Sequence, residues 1–301
     1  AWIREFKIST KGMGLVPFYP NPAQLPILDA ARAQLKRIGK IRQIIFKCRQ
    51  AGISTFASGL GGWKNFFFDN VNTFVIAHDK PTVAHIFGMY DTMYDEMSPE
   101  VRPERPYYNK GSEMVLSNRS RIHVGEAKNI NVGTGRTIHV CHGSEICRWQ
   151  YLDPIGESLI PALSDYPGTI QIWESTAHFA PGADWFRDRC ERAMARDGEL
   201  EYHFVKWWKL PEYSIPLKKG EKLKLGTTER FLVKKYHLTP EQIKWRREVI
   251  AEFKGDEDLF KLSYPMEYEE AWITKESQVF AHSRLMELSA MLRPPKKRFT
   301  I

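Results

Sequence analysis

The residues best suited to chemistry in this sequence are Lys47-Cys48-Arg49-Gln50-Ala51-Gly52-Ile53-Ser54-Thr55. A short apolar run over 41–47 (IRQIIFK) leads in with the look of a buried strand, and a helix is predicted from 54 to about 67. Such a strand-to-helix junction aims the unpaired backbone N–H groups of the helix N-terminus at an anion. Gly52 permits close approach of a phosphate to the backbone. Ser54 stands where the standard loop G-x-x-x-x-G-K-[ST] places the hydroxyl that coordinates Mg²⁺. Two positions depart from that pattern, because Lys47 replaces the first glycine and Ile53 replaces the lysine. Phosphoryl chemistry still needs a cation on the β- and γ-phosphates. Lys47 or Arg49, at the front of the loop, could supply it, and the sequence leaves the choice open. Taken alone, the junction also fits an ordinary turn.

Four further features bear on that choice of chemistry. Thr137-Ile138-His139-Val140-Cys141-His142-Gly143-Ser144-Glu145 reads as a strand ending in a hydroxyl and an acid. At the C-terminal edge of a sheet, beside bound phosphates, Glu145 would polarise an attacking water as general base. Ser144 stands where an Asp usually holds the water shell of Mg²⁺, a second departure; an N-capping serine before a helical turn is the alternative. Gln171-Ile172-Trp173-Glu174-Ser175-Thr176-Ala177 is another strand ending in hydroxyls, and Ser175 and Thr176 are placed to sense the γ-phosphate and couple hydrolysis to a moving lobe, or to make a simple hydroxyl turn. Tyr19-Pro20-Asn21-Pro22-Ala23-Gln24 precedes the first strand, and the Gln24 amide can both donate to and accept from an adenine edge. Gly133-Thr134-Gly135-Arg136 puts an arginine on a glycine-flanked loop, where Arg136 could reach a neighbouring subunit as an arginine finger; Arg119, Arg121 and Arg148 are rivals.

The elements needed to position these residues follow from periodicity and punctuation. A helix is predicted over 21–38, with Asn21 as N-cap and Pro22 at its first position. Strands are predicted over 73–77, 113–116, 121–124, 137–142 and 169–173, and helices over 82–96, 152–163 and 182–195. Alternation of short apolar strands with helices argues for an α/β domain with a mostly parallel sheet. After about residue 200 the pattern changes. A helix over 239–253 starts with Thr239, Pro240 and a Gln242 capping box, but no second set of alternating strands and helices follows. Residues 1–20 read as an irregular lead-in. The expected organisation is a core over 1–200, a lid or linker subdomain over 201–292 and the start of a linker over 293–301.

Composition agrees with a folded protein, and on its own it leaves a nucleic-acid partner and a basic protein with no such partner equally open. The 301 residues are 43% hydrophobic and 27% charged, enough for a sizeable core and not a disordered chain. The net charge of +8 favours a polyanionic partner, nucleic acid first. The denser basic stretches are Lys218, Lys219, Lys222 and Lys224, then Lys296, Lys297 and Arg298. The four cysteines form no C-x-x-C pair and read as reduced thiols of a cytoplasmic protein. No apolar run is long enough to span a membrane, and no secretory signal opens the chain. Asp91, Asp95 and Glu96, or Asp256, Glu257 and Asp258, read as solvated carboxylates rather than metal clusters. His139, Cys141 and His142 do not converge on one strand face.

The motifs together resemble the large terminase subunit of tailed bacteriophages. Its loop of the form K-x-R-Q-x-G-x-S-T matches Lys47, Arg49, Gln50, Gly52, Ser54 and Thr55; its acidic strand matches Ser144-Glu145; and its coupling motif matches Glu174-Ser175-Thr176-Ala177, followed by Gly182 and Phe186. Leu238-Thr239-Pro240-Glu241-Gln242, Trp245-Arg246-Arg247 and Tyr264-Pro265 with Glu270-Ala271-Trp272 extend the likeness to about residue 280. The resemblance implies an additional-strand, RecA-like P-loop NTPase core with a small C-terminal lid or linker lobe. It implies an ATPase that uses ATP and Mg²⁺ to drive double-stranded viral DNA through a portal into a procapsid. The implied ATP-binding residues are Gln24, Lys47, Arg49, Gln50, Ala51, Gly52, Ile53, Ser54 and Thr55. Glu145, Arg49 and Arg136 are the implied catalytic residues, Ser175 and Thr176 the coupling residues, and Ser54 and Ser144 the Mg²⁺ residues, in part through water. The implied partners are the portal protein, the small terminase subunit and further copies of the chain in a ring, pentameric in the family. The implied location is the host cytoplasm, docked transiently on the procapsid, outside the mature virion and with no membrane. Family members carry a C-terminal nuclease domain, so the chain is expected to be the motor half of a longer protein. Two rival readings are a helicase-like nucleic-acid-dependent ATPase, which normally needs a second sheet domain, and a non-enzymatic basic DNA-binding module, which gives Glu145 no role. A small-molecule kinase would leave the basic charge unexplained.

Overall fold

The structure is a computed structural model, and it describes residues 5–10, 12, 14–128, 137–150 and 159–272. The chain divides into two compact units, 1–206 and 207–301.

The first unit is built on an eight-stranded sheet. Its strands in chain order are β3 (Ile41–Lys47), β4 (Asn72–Ala77), β5 (Tyr107–Asn109), β6 (Glu113–Val115), β7 (Arg121–Glu126), β8 (Val140–Ser144), β9 (Ile170–Ser175) and β10 (Glu201–Val205). Across the sheet they run β10-β3-β9-β8-β4-β7-β6-β5. The ladders from β10 to β7 are all parallel; only β7–β6 and β6–β5 are antiparallel. This mostly parallel α/β architecture is the one the sequence implies. The strands buried on both faces read as continuous apolar runs, and all seven residues of β3 are buried. β9 is an additional strand inserted between β3, which feeds the loop, and β8, which carries the acid. Parallel strands bring their C-terminal ends to one edge, where open α/β sheets bind ligands.

Helices α1 (Gln24–Ile38), α2 (Ile53–Phe67), α3 (Lys80–Asp95) and α4 (Gly182–Met194) flank the sheet. α1 packs against β3, α2 against β4, β8, β9 and α3, and α4 against β3 and β10. α2 is apolar almost all round and carries buried Phe56, Ala57, Leu60 and Phe66, as a helix enclosed in a core must. α4 starts so close to the turn Ile146–Arg148 that a Cβ on Gly182 would lie 1.9 Å from the Ile146 carbonyl oxygen, so only glycine fits there.

The structure departs from the sequence reading at several places. The stretch read as irregular contains an antiparallel hairpin, β1 (Lys7–Thr10) with β2 (Gly14–Pro17), too short and polar for a periodicity signal. α1 begins at Gln24, with Asn21 and Pro22 in the preceding turn. Asn21 Oδ1 nevertheless accepts from the Ala23 and Gln24 N–H groups at 2.9 and 3.0 Å, so its capping chemistry stands. β8 starts at Val140 and runs to Ser144; Ile138 makes only an isolated bridge to Leu163. Of the helix expected over 152–163, residues 152–158 lie outside the described residues. β10, a mixed polar edge strand, lies beyond the expected boundary at 200 and belongs to the sheet of the first unit.

The second unit contains α5 (Thr227–Tyr236), α6 (Pro240–Glu252) and α7 (Glu257–Ser263). Thr239 and Gln242 close the capping box of α6. An aromatic core holds the unit: the Trp245 ring centroid lies 4.9 Å from Trp207 and Tyr213 and 5.0 Å from Tyr264. α5 and α7, both short, carry too few apolar repeats to stand out in sequence. Asp256 caps α7, accepting from the Asp258 and Leu259 N–H groups, with Glu257 and Asp258 in its first turn. Asp91 accepts from Tyr108 Oη at 2.7 Å and pairs with Arg105. Lys218, Lys219, Lys222 and Lys224 are all exposed. No described helix is long and apolar enough to cross a membrane.

Candidate nucleotide site

The loop after β3 is shaped by two left-handed residues, Gln50 at φ 58° and Gly52 at φ 75°. Its carbonyls are held from the start of α1 and the turn before it: Asn21 Nδ2 donates to the Ala51 oxygen at 3.1 Å, and Gln24 Nε2 to the Gly52 oxygen at 2.7 Å. Gln24 Oε1 in turn accepts from the Asn21 N–H at 2.9 Å. Gln24 is therefore buried, with both ends of its amide already engaged in fixing the loop. α2 begins at Ile53, so its first-turn N–H groups lack intrahelical acceptors and form an anion-binding end. Ala51 and Ile53 are buried, Ser54 and Thr55 partly exposed, and Arg49 and Gln50 exposed at the loop front.

Lys47 does not project into solvent. Its ammonium lies 2.7 Å from Glu145 Oε1 and 3.0 Å from Glu174 Oε2. Burial alone would favour the neutral amine, but the charges of Glu145 and Glu174 outweigh it and hold the pKa above the ordinary lysine value. Arg49 is the more exposed of the two candidate phosphate cations.

Glu145 follows the last residue of β8 with φ 52° and ψ 47°, a left-handed conformation that costs energy for a residue other than glycine. The Trp149 indole N–H fixes that corner by donating to the Ser144 carbonyl at 3.0 Å. The turn swings the Glu145 carboxylate to Lys47 and to Thr176, whose Oγ1 donates to Oε2 at 2.9 Å; Arg148 Nε lies 3.8 Å from the same oxygen. Ser175 plays a different part, accepting from the Cys147 N–H at 3.0 Å and donating to the Thr176 carbonyl at 2.7 Å. The ends of β8 and β9 are thus joined by both hydroxyls, one through a side chain and one through the backbone.

At the centre stands Glu174, which the sequence reading placed only as the first letter of the coupling motif. It is 0% exposed. Its Oε1 accepts from Ser54 Oγ at 2.8 Å and Ser144 Oγ at 2.7 Å and lies 3.3 Å from His142 Nε2. Burial pushes its pKa up, but Lys47 first and then His142 and Ser144 hold it well below the usual carboxylate range. The signal available in sequence was an acid next to last in the mostly buried strand IQIWES, where an unpaired charge would be prohibitive. Strand parity explains the convergence. Ile45 and Ser144 are the register partners of Glu174, so Lys47, Glu174, Ser144 and His142 share one face of the sheet. His142, set aside as a ligand, is part of this cluster. His178 lies nearby, its pKa lowered by burial and then by the charges of Arg148 and Arg49.

The structure therefore brings together Gln24, Lys47 to Thr55, Ser144, Glu145, Ser175 and Thr176 at the C-terminal edge of the parallel strands. Arg136 lies outside the described residues. The hydroxyls of Ser54 and Ser144 beside a carboxylate are hard oxygen donors of the kind Mg²⁺ takes, so the residues present fit that cation.

Solved structures that share this fold include two phage large terminases. The HK97 bacteriophage large terminase matches over 88% of this chain with a TM-score of 0.61 at 14% identity. A variant of the Thermus phage P74-26 large terminase ATPase domain matches over 83% of this chain and 100% of its own length, with a TM-score of 0.54 at 15% identity. The chain spans about half the HK97 protein, 53% of its length. No family model matches the sequence, and no curated protein matches it.

Proposed function

We propose that the chain is the ATP-hydrolysing motor of a viral genome-packaging machine, acting on double-stranded DNA. The observation that carries this reading is the joining of the loop after β3 to Glu145 and Thr176 across an additional strand, within a fold shared with phage large terminases. ATP binds with its phosphates over residues 49–55, on the N-terminal N–H groups of α2. Arg49, exposed at the loop front, meets the phosphate charge, Lys47 holds the two acids behind the loop, and Gln24 orients the loop. Ser54 and Ser144 face Mg²⁺, which when bound neutralises charge on the β- and γ-phosphates. Glu145 orients and deprotonates the attacking water. Because Thr176 donates to the same carboxylate, a change at Glu145 on turnover is passed to the end of β9, and Ser175 ties that end to the turn after β8. Arg136 of a neighbouring copy completes the site in a ring, pentameric by resemblance. The exposed lysines between 218 and 224 suit DNA phosphates, with little base specificity. The portal protein and the small terminase subunit are the expected partners, and the host cytoplasm the place of action.

Steady-state ATP hydrolysis against protein concentration, with Mg²⁺, tests this reading. A rate per chain that rises with concentration is the expected outcome, since the arginine comes from a second copy. Turnover absent at every concentration, with no ATP binding, would leave a DNA-binding module instead.

A further inference from the structure

We propose that Glu174 is the carboxylate that positions the divalent cation of this site, in place of the acid that β8 lacks at Ser144. The inference rests on the nucleotide reading above and adds to it a positioning residue.

In P-loop enzymes the cation is held by the loop Ser or Thr and by an Asp closing the acid strand. Here β8 closes on His142-Gly143-Ser144, with no carboxylate before Glu145. Directly across the β8–β9 ladder, the register partner of Ser144 is Glu174. A glutamate is one methylene longer than an aspartate, and from the neighbouring strand it reaches the space between Ser144 and the loop. The hydrogen bonds point the same way. A hydroxyl that binds a cation through an oxygen lone pair must give its proton to an acceptor elsewhere. Ser54 Oγ gives its proton to Glu174 Oε1 at 2.8 Å, and Ser144 Oγ to the same oxygen at 2.7 Å. The lone pairs of both hydroxyls are thereby turned away from Glu174. His142 Nε2, 3.3 Å from that oxygen, and Lys47, 3.0 Å from the other, hold the carboxylate in place.

The two acids of the site thus divide the work. Glu145 sits on a strained turn, partly exposed, with Thr176 on one oxygen and Lys47 on the other. Glu174 is enclosed, and its partners are the loop serine and the β8 serine. A fully buried carboxylate is a poor stabiliser compared with an apolar residue of similar size, so its presence in the buried strand β9 beside the loop hydroxyl points to a role with the cation.

The test is titration of a fluorescent ATP analogue into the full chain, once in excess EDTA and once in excess Mg²⁺. The ratio of the two dissociation constants is compared for the wild type, Glu174→Gln and the double variant Ser144→Asp/Glu174→Gln. Glu174→Gln is expected to keep its affinity in EDTA and lose about 10- to 100-fold of the Mg²⁺ enhancement, the usual effect of removing an outer partner of a metal site. The double variant, which returns an acid to β8, is expected to regain most of it. An unchanged ratio in Glu174→Gln overturns the proposal, as does an equal loss in EDTA and in Mg²⁺, which marks a structural role only. If Glu174→Gln does not fold by circular dichroism, Glu174→Asp keeps the charge beside Lys47 and withdraws the carboxylate, and the same loss of ratio is expected from it. A wild type that binds no nucleotide in either condition removes the nucleotide reading and this proposal with it, a result distinct from a Glu174→Gln protein that binds Mg²⁺-nucleotide normally.

Discussion

Glu145→Gln will lower the turnover number for ATP by about 10²- to 10⁴-fold, the range over which a positioned general base contributes, while ATP affinity changes by no more than a few fold. The substitution keeps the shape of the side chain and its hydrogen bond to Thr176. It removes the basic oxygen and the charge that faces Lys47. On the proposed reading binding survives because the phosphates rest on the N-terminus of α2 and on residues 49–55, which Glu145 meets only indirectly, through Lys47. Single-turnover hydrolysis and equilibrium binding on the same preparation separate the two quantities. Equal loss in both would mean that Glu145 holds the loop through Lys47 and does not activate water.

The second large effect is on stability. Lys47→Met leaves Glu174 buried without its cation, and removing one partner of a buried pair destabilises by about 3–5 kcal/mol. The deficit depends on pH, and its sign follows from the environment of Glu174. In the wild type its folded pKa is depressed below the ordinary value of 4.5, so its contribution is present above that value and fades as pH falls toward the folded one. Without Lys47, burial raises the folded pKa instead. The charged form then costs stability at neutral pH, and that cost disappears on protonation. The gap between the two proteins is therefore widest near neutrality and narrows as the pH drops through the carboxylate range. Urea unfolding at a series of pH values measures it; a gap constant with pH would show that Lys47 stabilises by packing alone.

Local chemistry was the legible part of the sequence. The apolar run of β3, the glycine at 52, the hydroxyls at 54 and 55 and the Thr239–Gln242 capping box each depend on near neighbours, and each is where periodicity and capping rules put it. The acid at 145 was legible as the end of a strand, although its left-handed backbone was not. What sequence could not reveal was the pairing of strands far apart in the chain. Glu174 meets Ser54 across 120 positions and Ser144 across 30, and only the insertion of β9 between β3 and β8 makes them neighbours. The same holds for Gln24, whose amide reads as an adenine donor and acceptor in sequence and in the fold also ties α1 to the loop carbonyl of Gly52. The β1–β2 hairpin and β10 escaped because short, polar edge strands carry little period-2 signal.

The measurement that tests the central claim most directly is amide hydrogen exchange of the full chain with and without a slowly hydrolysed ATP analogue and Mg²⁺. A nucleotide seated on the N-terminus of α2 predicts protection concentrated in peptides covering 48–56, with smaller protection at 144–149 and 174–178, where the ends of β8 and β9 close the site. Saturating nucleotide with unchanged exchange over 48–56, or protection confined to another part of the chain, would contradict the account.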